Sequence, residues 1–82
     1  MNKDYVLFNL QEAREELDRT IRALRQHPDY DSGELVVAMT HVYHHMNTAW
    51  NARNVSSERA EVCSERDFRL WRQFPLEIDL SV

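Results

Sequence analysis

The sequence predicts an all-α domain: an antiparallel two-helix hairpin, a shorter third helix packed across it, and an extended C-terminal tail. Two long segments carry apolar residues at the spacing of an amphipathic helix. A stop signal and a start signal lie between them, at His27-Pro28 and Asp31-Ser32-Gly33. The 82 residues contain one glycine and no Gly/Ser/Pro-rich linker. This fits a single domain and leaves no material for a glycine-rich phosphate-binding loop.

The first helix is predicted over residues 4–26. Acidic residues precede basic residues by four positions on one side of this segment, which is typical of a solvated face. Proline disfavours the helical conformation in the residue before it, so His27-Pro28 ends the helix. We expect the apolar stripe to face the core, and it consists of Val6, Leu10, Ala13, Leu17, Ile21 and Leu24.

The second helix is predicted over residues 33–53. Asp31 and Glu34 have the spacing of a capping box, and Ser32 is a rival cap. The short turn folds this helix back antiparallel to the first. No charged residue occurs between Leu35 and Ala52, which suggests a helix packed between other elements. Its apolar face is expected to contain Leu35, Met39, Val42, Tyr43, Met46, Ala49 and Trp50.

The third helix is predicted over residues 57–73, with a break near Cys63-Ser64 and an end at Phe74-Pro75. The tail, residues 75–82, alternates apolar and polar side chains. This period of two predicts an extended strand with one apolar edge. Such a strand would lie along the helices or pair with another chain.

His41 and His45 lie one helical turn apart and could bind one metal ion, whereas His44 points about 100° away from His45. Zinc takes three or four protein ligands in most sites. A site for zinc or another divalent transition metal would therefore need Cys63, an acidic residue or a second chain. A hydrolase is the activity that such a site would suggest. The ligand count favours the other interpretation, in which the histidines are neutral hydrogen-bonding groups and no cofactor is bound.

The polar face of the second helix carries no charge and holds Thr40, His44, Asn47, Thr48 and Asn51. Uncharged polar residues suit a surface that a partner desolvates, because burying unpaired ions costs far more. The face is therefore a candidate interface. The alternative is that the third helix of the same chain covers it.

Together these features predict a non-catalytic protein–protein interaction or self-association module, most simply a homodimer. The expected contact surfaces are the polar face of the second helix and the apolar tail residues Leu76, Ile78 and Leu80. A small-molecule pocket at Tyr43, Trp50 and Arg53 is a further alternative. The net charge of −4 disfavours nucleic acid. With one cysteine, no apolar run of membrane length and no signal peptide, we expect a cytoplasmic location.

Overall fold

The computed structural model describes residues 1–81 and contains four helices. They are α1 (Lys3–Gln26), α2 (Ser32–Asn51), α3 (Ser57–Val62) and α4 (Glu65–Trp71). α1 and α2 pack along their lengths as an antiparallel hairpin, and α4 packs against α2, so the predicted all-α hairpin is confirmed. The molecule measures 43 × 30 × 22 Å. Among the helices formed by residues 1–81, none combines the length and apolarity needed to cross a membrane.

Side chains cap both long helices. The Asp31 carboxylate accepts a hydrogen bond from the backbone N–H of Glu34 at 2.9 Å, so the predicted cap of α2 is confirmed. Asn2 caps α1 by accepting from the Tyr5 N–H at 3.1 Å. Its amide also donates to the Val55 carbonyl at 3.1 Å, and its backbone N–H donates to the Arg53 carbonyl. The cap of α1 therefore also connects the start of α1 to the segment that follows α2, at the open end of the hairpin.

The third helical segment is broken where the sequence predicts. Cys63 ends α3 in the left-handed conformation, with φ of 39°. Ser64 then caps α4 by accepting from the backbone N–H of Asp67. Arg59 donates two hydrogen bonds to the Asp67 carboxylate, at 2.8 and 3.2 Å, and so fixes the angle between the two short helices.

The tail is non-helical, but turns replace the expected strand. The backbone N–H of Ile78 donates to the Pro75 carbonyl, and Asp79 accepts from the N–H of Ser81. No strand occurs within residues 75–81, because no second strand lies beside the tail to complete its hydrogen bonds. Val82, which the predicted strand included, lies outside the described residues.

The core within the chain is built from small side chains. The buried apolar residues are Ala13, Ala38, Val42, Ala49, Ala52 and Trp71. The helical spacing predicts the buried stripes incorrectly for most positions. Ala13 alone of the α1 stripe is buried, and of the α2 stripe Val42 and Ala49 are. The partly or largely exposed stripe residues are Val6, Leu10, Leu17, Ile21, Leu24, Leu35, Met39, Tyr43, Met46 and Trp50.

Candidate functional site

One side of the hairpin carries a continuous surface of large apolar side chains. Helical geometry places the outward apolar stripes of α1 and α2 on the same side of the antiparallel pair. A cavity of about 230 Å³ at the open end of the hairpin, lined by Val6 and Leu10 from α1 and Met46 and Trp50 from α2, bridges the two stripes. We call this surface the open face. It consists of Val6, Leu10, Leu17, Ile21, Leu24, Leu35, Met39, Tyr43, Met46 and Trp50.

The open face exists because α1 turns a different stripe toward α2. Asn9, Ala13 and Thr20 are the buried residues of α1. They lie roughly 40–100° around the helix from Leu10 and Leu17. Small residues let the two helices approach closely, and the larger side chains are then directed out of the plane of the hairpin. α1 and α2 therefore pack together without covering their own leucines and methionines.

The open face is large for a chain of this size. Eight of its ten side chains are 37–53% exposed, and Val6 and Met39 are half-buried. Ten large side chains at these exposures leave on the order of 800 Å² open, whereas the largest apolar patch of a typical monomer is about 300–600 Å². Each partner in a standard protein interface contributes about 800 Å². The open face thus has the size and composition of an interface.

α4 covers the C-terminal half of the polar face of α2. Asn47 and Thr48 are buried, and the Asn47 amide donates to the Arg72 carbonyl at 2.9 Å. The Asn51 amide donates to the carbonyls of Trp71 and Gln73. These amides bond the last carbonyls of α4, which lack partners within that helix. Asn47, Thr48 and Asn51, which the sequence predicts as interface residues, are buried or half-buried and the two amides bond within the chain.

Thr40 and His44 occupy the edges of this covered region. Thr40 is exposed, and its hydroxyl donates to the Val36 carbonyl within α2. The His44 ring lies 4.8 Å from the Phe68 ring of α4 and 4.8 Å from the His45 ring. Burial lowers the pKa of His44, and the charges of His45, Arg72 and His41 lower it further. His44 is therefore favoured in its neutral form.

His45 takes part in the packing of α1 against α2. Its Nδ1 lies 3.1 Å from Oδ1 of Asn9, and the Asn9 amide donates to the Tyr5 carbonyl. His45 Nδ1 therefore acts as the donor. Burial lowers the pKa of His45, although the carboxylates of Glu12 and Glu16 act in the opposite direction. This histidine joins the two helices and has no free lone pair at Nδ1 for a metal.

His41 and His45 are one helical turn apart, and no third metal-ligand side chain joins them within residues 1–81. The closest carboxylate to His41 is that of Glu16, with Nδ1 and Oε1 3.8 Å apart. Glu16 itself accepts from Arg19 at 2.6 Å, which lowers the pKa of Glu16. Cys63 lies beside the Tyr5 side chain. Across residues 1–81, no three His, Cys, Asp or Glu side chains are grouped to hold a metal ion, so the predicted His41–His45 site lacks its further ligands within the chain.

The tail is largely exposed and contacts the predicted pocket through one side chain. Leu76, Ile78 and Leu80 are 100%, 37% and 77% exposed. The tail meets α2 through Glu77, which accepts from the Trp50 indole N–H at 2.8 Å. The Arg53 guanidinium stacks 3.8 Å above the Trp50 ring.

Of the predicted pocket residues, Trp50 and Arg53 line the 230 Å³ cavity and Tyr43 does not. Tyr43 belongs instead to the open face. The structure therefore brings two of the three residues together, at one end of the open face.

Most residues of the apolar stripes of α1 and α2, which the sequence predicts to face the core, are instead exposed or half-buried on the open face. Leu10, Leu17 and Leu24 recur every seven residues, which is the spacing of a helix that packs against another helix. That spacing was a usable signal for a helical partner. Nothing in the sequence indicated that Asn9 and Thr20 would occupy the contact between α1 and α2.

The comparisons with known proteins give no family for this chain. No protein-family model matches it, and neither curated proteins nor solved structures gave a significant match.

Proposed function

We propose that this protein is a non-catalytic self-association module that forms a homodimer through the open face. The observation that carries the proposal is an inversion of size: alanines dominate the buried core, whereas the ten larger apolar side chains of the open face are exposed or half-buried together on one side of the hairpin. Chains of about 80 residues bury little surface alone and often depend on association. A second hairpin would supply the missing half of the core.

A second copy of this chain suits the open face better than a charged partner. The ten side chains of the open face are uncharged, and the α2 segment from Leu35 to Ala52 has no charged residue. Charges reach this face at its Trp50 end, where Arg53 and Glu77 contact the indole. An apolar face of about 800 Å² is what each subunit needs for a standard interface. Two such faces placed together would form a four-helix bundle, the usual arrangement of amphipathic hairpins.

We propose that this dimer occurs in a reducing compartment such as the cytoplasm. Cys63 is the chain's one cysteine and is a free thiol. Proteins of oxidising compartments commonly pair their cysteines in disulfides, whereas free thiols are usual in the cytosol.

The test compares the same substitution on two helices. Leu17→Glu places a carboxylate in the open face, where a second copy would bury it. Leu70→Glu is the matched control, because Leu70 is a helical leucine of similar exposure on α4. We expect the unmodified chain and Leu70→Glu to have dimer mass in sedimentation experiments, and Leu17→Glu to have monomer mass.

Two outcomes would contradict the proposal. One is a monomeric unmodified chain at about 100 µM, a concentration far above the dissociation constant of a stable dimer. The other is a Leu17→Glu variant that remains as dimeric as the control. Loss of the dimer in Leu70→Glu alone would move the interface to α4. Circular dichroism on each variant separates loss of association from loss of helix.

A further inference from the structure

Several exposed charges border the open face on the outer side of α1, with Lys3 and Arg25 near its ends and Arg14 and Asp18 near its centre. Arg14 and Asp18 lie one turn apart, next to the stripe that contains Leu17. Neither forms an ion pair within residues 1–81, where the salt bridges join other residues. They would lie at the edge of the proposed dimer, where charges commonly determine register and orientation.

The middle of the corresponding edge of α2 carries no charge, whereas Arg53 and Glu77 lie beside Trp50 at its end. Val36, Thr40 and Tyr43 occupy the outer side of the α2 stripe. A two-fold dimer of hairpins can place α1 against the partner's α2 or against the partner's α1. The first arrangement sets Arg14 and Asp18 beside an uncharged edge. The second sets the two charged edges beside each other, in antiparallel orientation.

The charges also favour one register of that antiparallel pair of α1 helices over another. With the two-fold axis near Leu17, Arg14 lies beside Asp18 of the partner subunit, and Leu10 lies opposite Leu24 of the partner subunit. An axis near Arg14 would bring the two copies of Arg14 together. It would also oppose Lys3 to Arg25 of the partner subunit. The first register pairs opposite charges and the second opposes like charges.

We propose that α1 packs antiparallel against α1 of a second copy, with the two-fold axis near Leu17 and reciprocal ion pairs between Arg14 and Asp18 of the partner subunit. This inference rests on the proposed self-association and defines its orientation. Surface ion pairs contribute little to affinity, but opposed like charges can exclude a wrong register. The pairs therefore specify how the apolar faces align.

The experiment mixes two single variants, Arg14→Glu and Asp18→Lys. In either homodimer each contact would oppose like charges. In the mixed dimer, the new carboxylate would meet the new ammonium, and the unmodified Asp18 would meet Arg14 of the partner subunit. We expect native mass spectrometry at low salt to find well over the roughly one-half share of mixed dimers that random pairing gives. The excess should shrink in high salt.

Random mixing of two dimeric variants would overturn this inference and leave the self-association proposal standing. An ion pair within one helix, between Arg14 and Asp18 of the same chain, also predicts random mixing, so the experiment separates it from a contact between chains. A monomeric unmodified chain would instead contradict the proposed function.

Cysteine cross-linking provides a second measurement. In a Cys63→Ser background, Leu17→Cys should form a disulfide dimer under mild oxidation, because the axis brings the two copies of this position together. Leu10→Cys alone should not, but should cross-link when mixed with Leu24→Cys. Cross-linking of Leu10→Cys with itself would contradict the register.

Discussion

Individual polar residues join the helices where apolar residues would be expected. Asn9 is 2% exposed and contacts both His45 and the Tyr5 carbonyl. The Thr20 hydroxyl donates to the Glu16 carbonyl at 2.8 Å. Among the described residues, no buried side-chain nitrogen or oxygen lacks a partner. These contacts avoid the cost of unsatisfied burial, and the Asn9–His45 hydrogen bond joins this stripe of α1 to α2, whereas the Thr20 bond lies within α1.

We predict that acidification destabilises the protein through His44 and His45. Burial places the pKa of each ring lower in the folded state than the unfolded value near 6.5. Between the two values the unfolded chain binds more protons, so the stabilising contribution is complete above pH 6.5 and is lost as the pH falls. Urea unfolding at fixed protein concentration should give a lower midpoint at pH 5 than at pH 7.5.

Substitutions at the two rings provide the check on this prediction. His44→Gln/His45→Gln should reduce the difference between the two pH values, whereas His27→Gln, in the exposed inter-helix turn, should preserve it. An equal pH dependence in all three proteins would assign the effect to other groups. Arg72, His41, Glu12 and Glu16 are the charged or titratable neighbours that modulate these two rings.

The sequence determines the ends of the elements better than the rotation of each helix. Asp31, Ser64 and Pro28 are local signals, and they mark the hairpin turn and the break before α4. Either of two neighbouring stripes of α1 could pack against α2. The leucine stripe is the more hydrophobic of the two, but its spacing does not distinguish burial against α2 of the same chain from contact with a second chain. Asn9 and Ala13 settle the choice through close packing, which periodicity does not describe.

At the level of elements, we predict that the α3–α4 corner depends on the backbone conformation of Cys63. Its φ of 39° is unfavourable for side chains branched at Cβ. Cys63→Val should therefore be less stable than Cys63→Ala by about 1 kcal/mol, although valine buries more apolar surface. Chemical denaturation of both variants measures the difference. Equal stability, or a more stable valine variant, would contradict a left-handed Cys63 in solution.

On the scale of the whole molecule, the two sides of the hairpin differ: α4 packs on one side, and the open face lies on the other. α4 covers polar groups of α2 on one side, with Trp71 buried between the elements. The open face on the other side is left to a second copy in our proposal. In the proposed dimer, the small internal core and the large external apolar face would couple folding to association, so that much of the stability would arise between chains.

Coupled folding and association predicts a stability that depends on concentration. The thermal midpoint should rise when the protein concentration increases from about 1 to 100 µM, because mass action favours the associated state. Differential scanning calorimetry or circular dichroism can measure this shift. Leu70→Glu should show the same rise as the unmodified chain. A midpoint independent of concentration in both proteins would indicate that the monomer is stable without a partner.

The mass of the unmodified chain in solution tests the central claim most directly. Sedimentation equilibrium at neutral pH should give twice the 9.8 kDa of one chain, with helical circular dichroism. The same helical signal at 9.8 kDa across the concentration range would mean that the hairpin is stable with its open face exposed to water. That result would contradict the dimer and the function proposed from it.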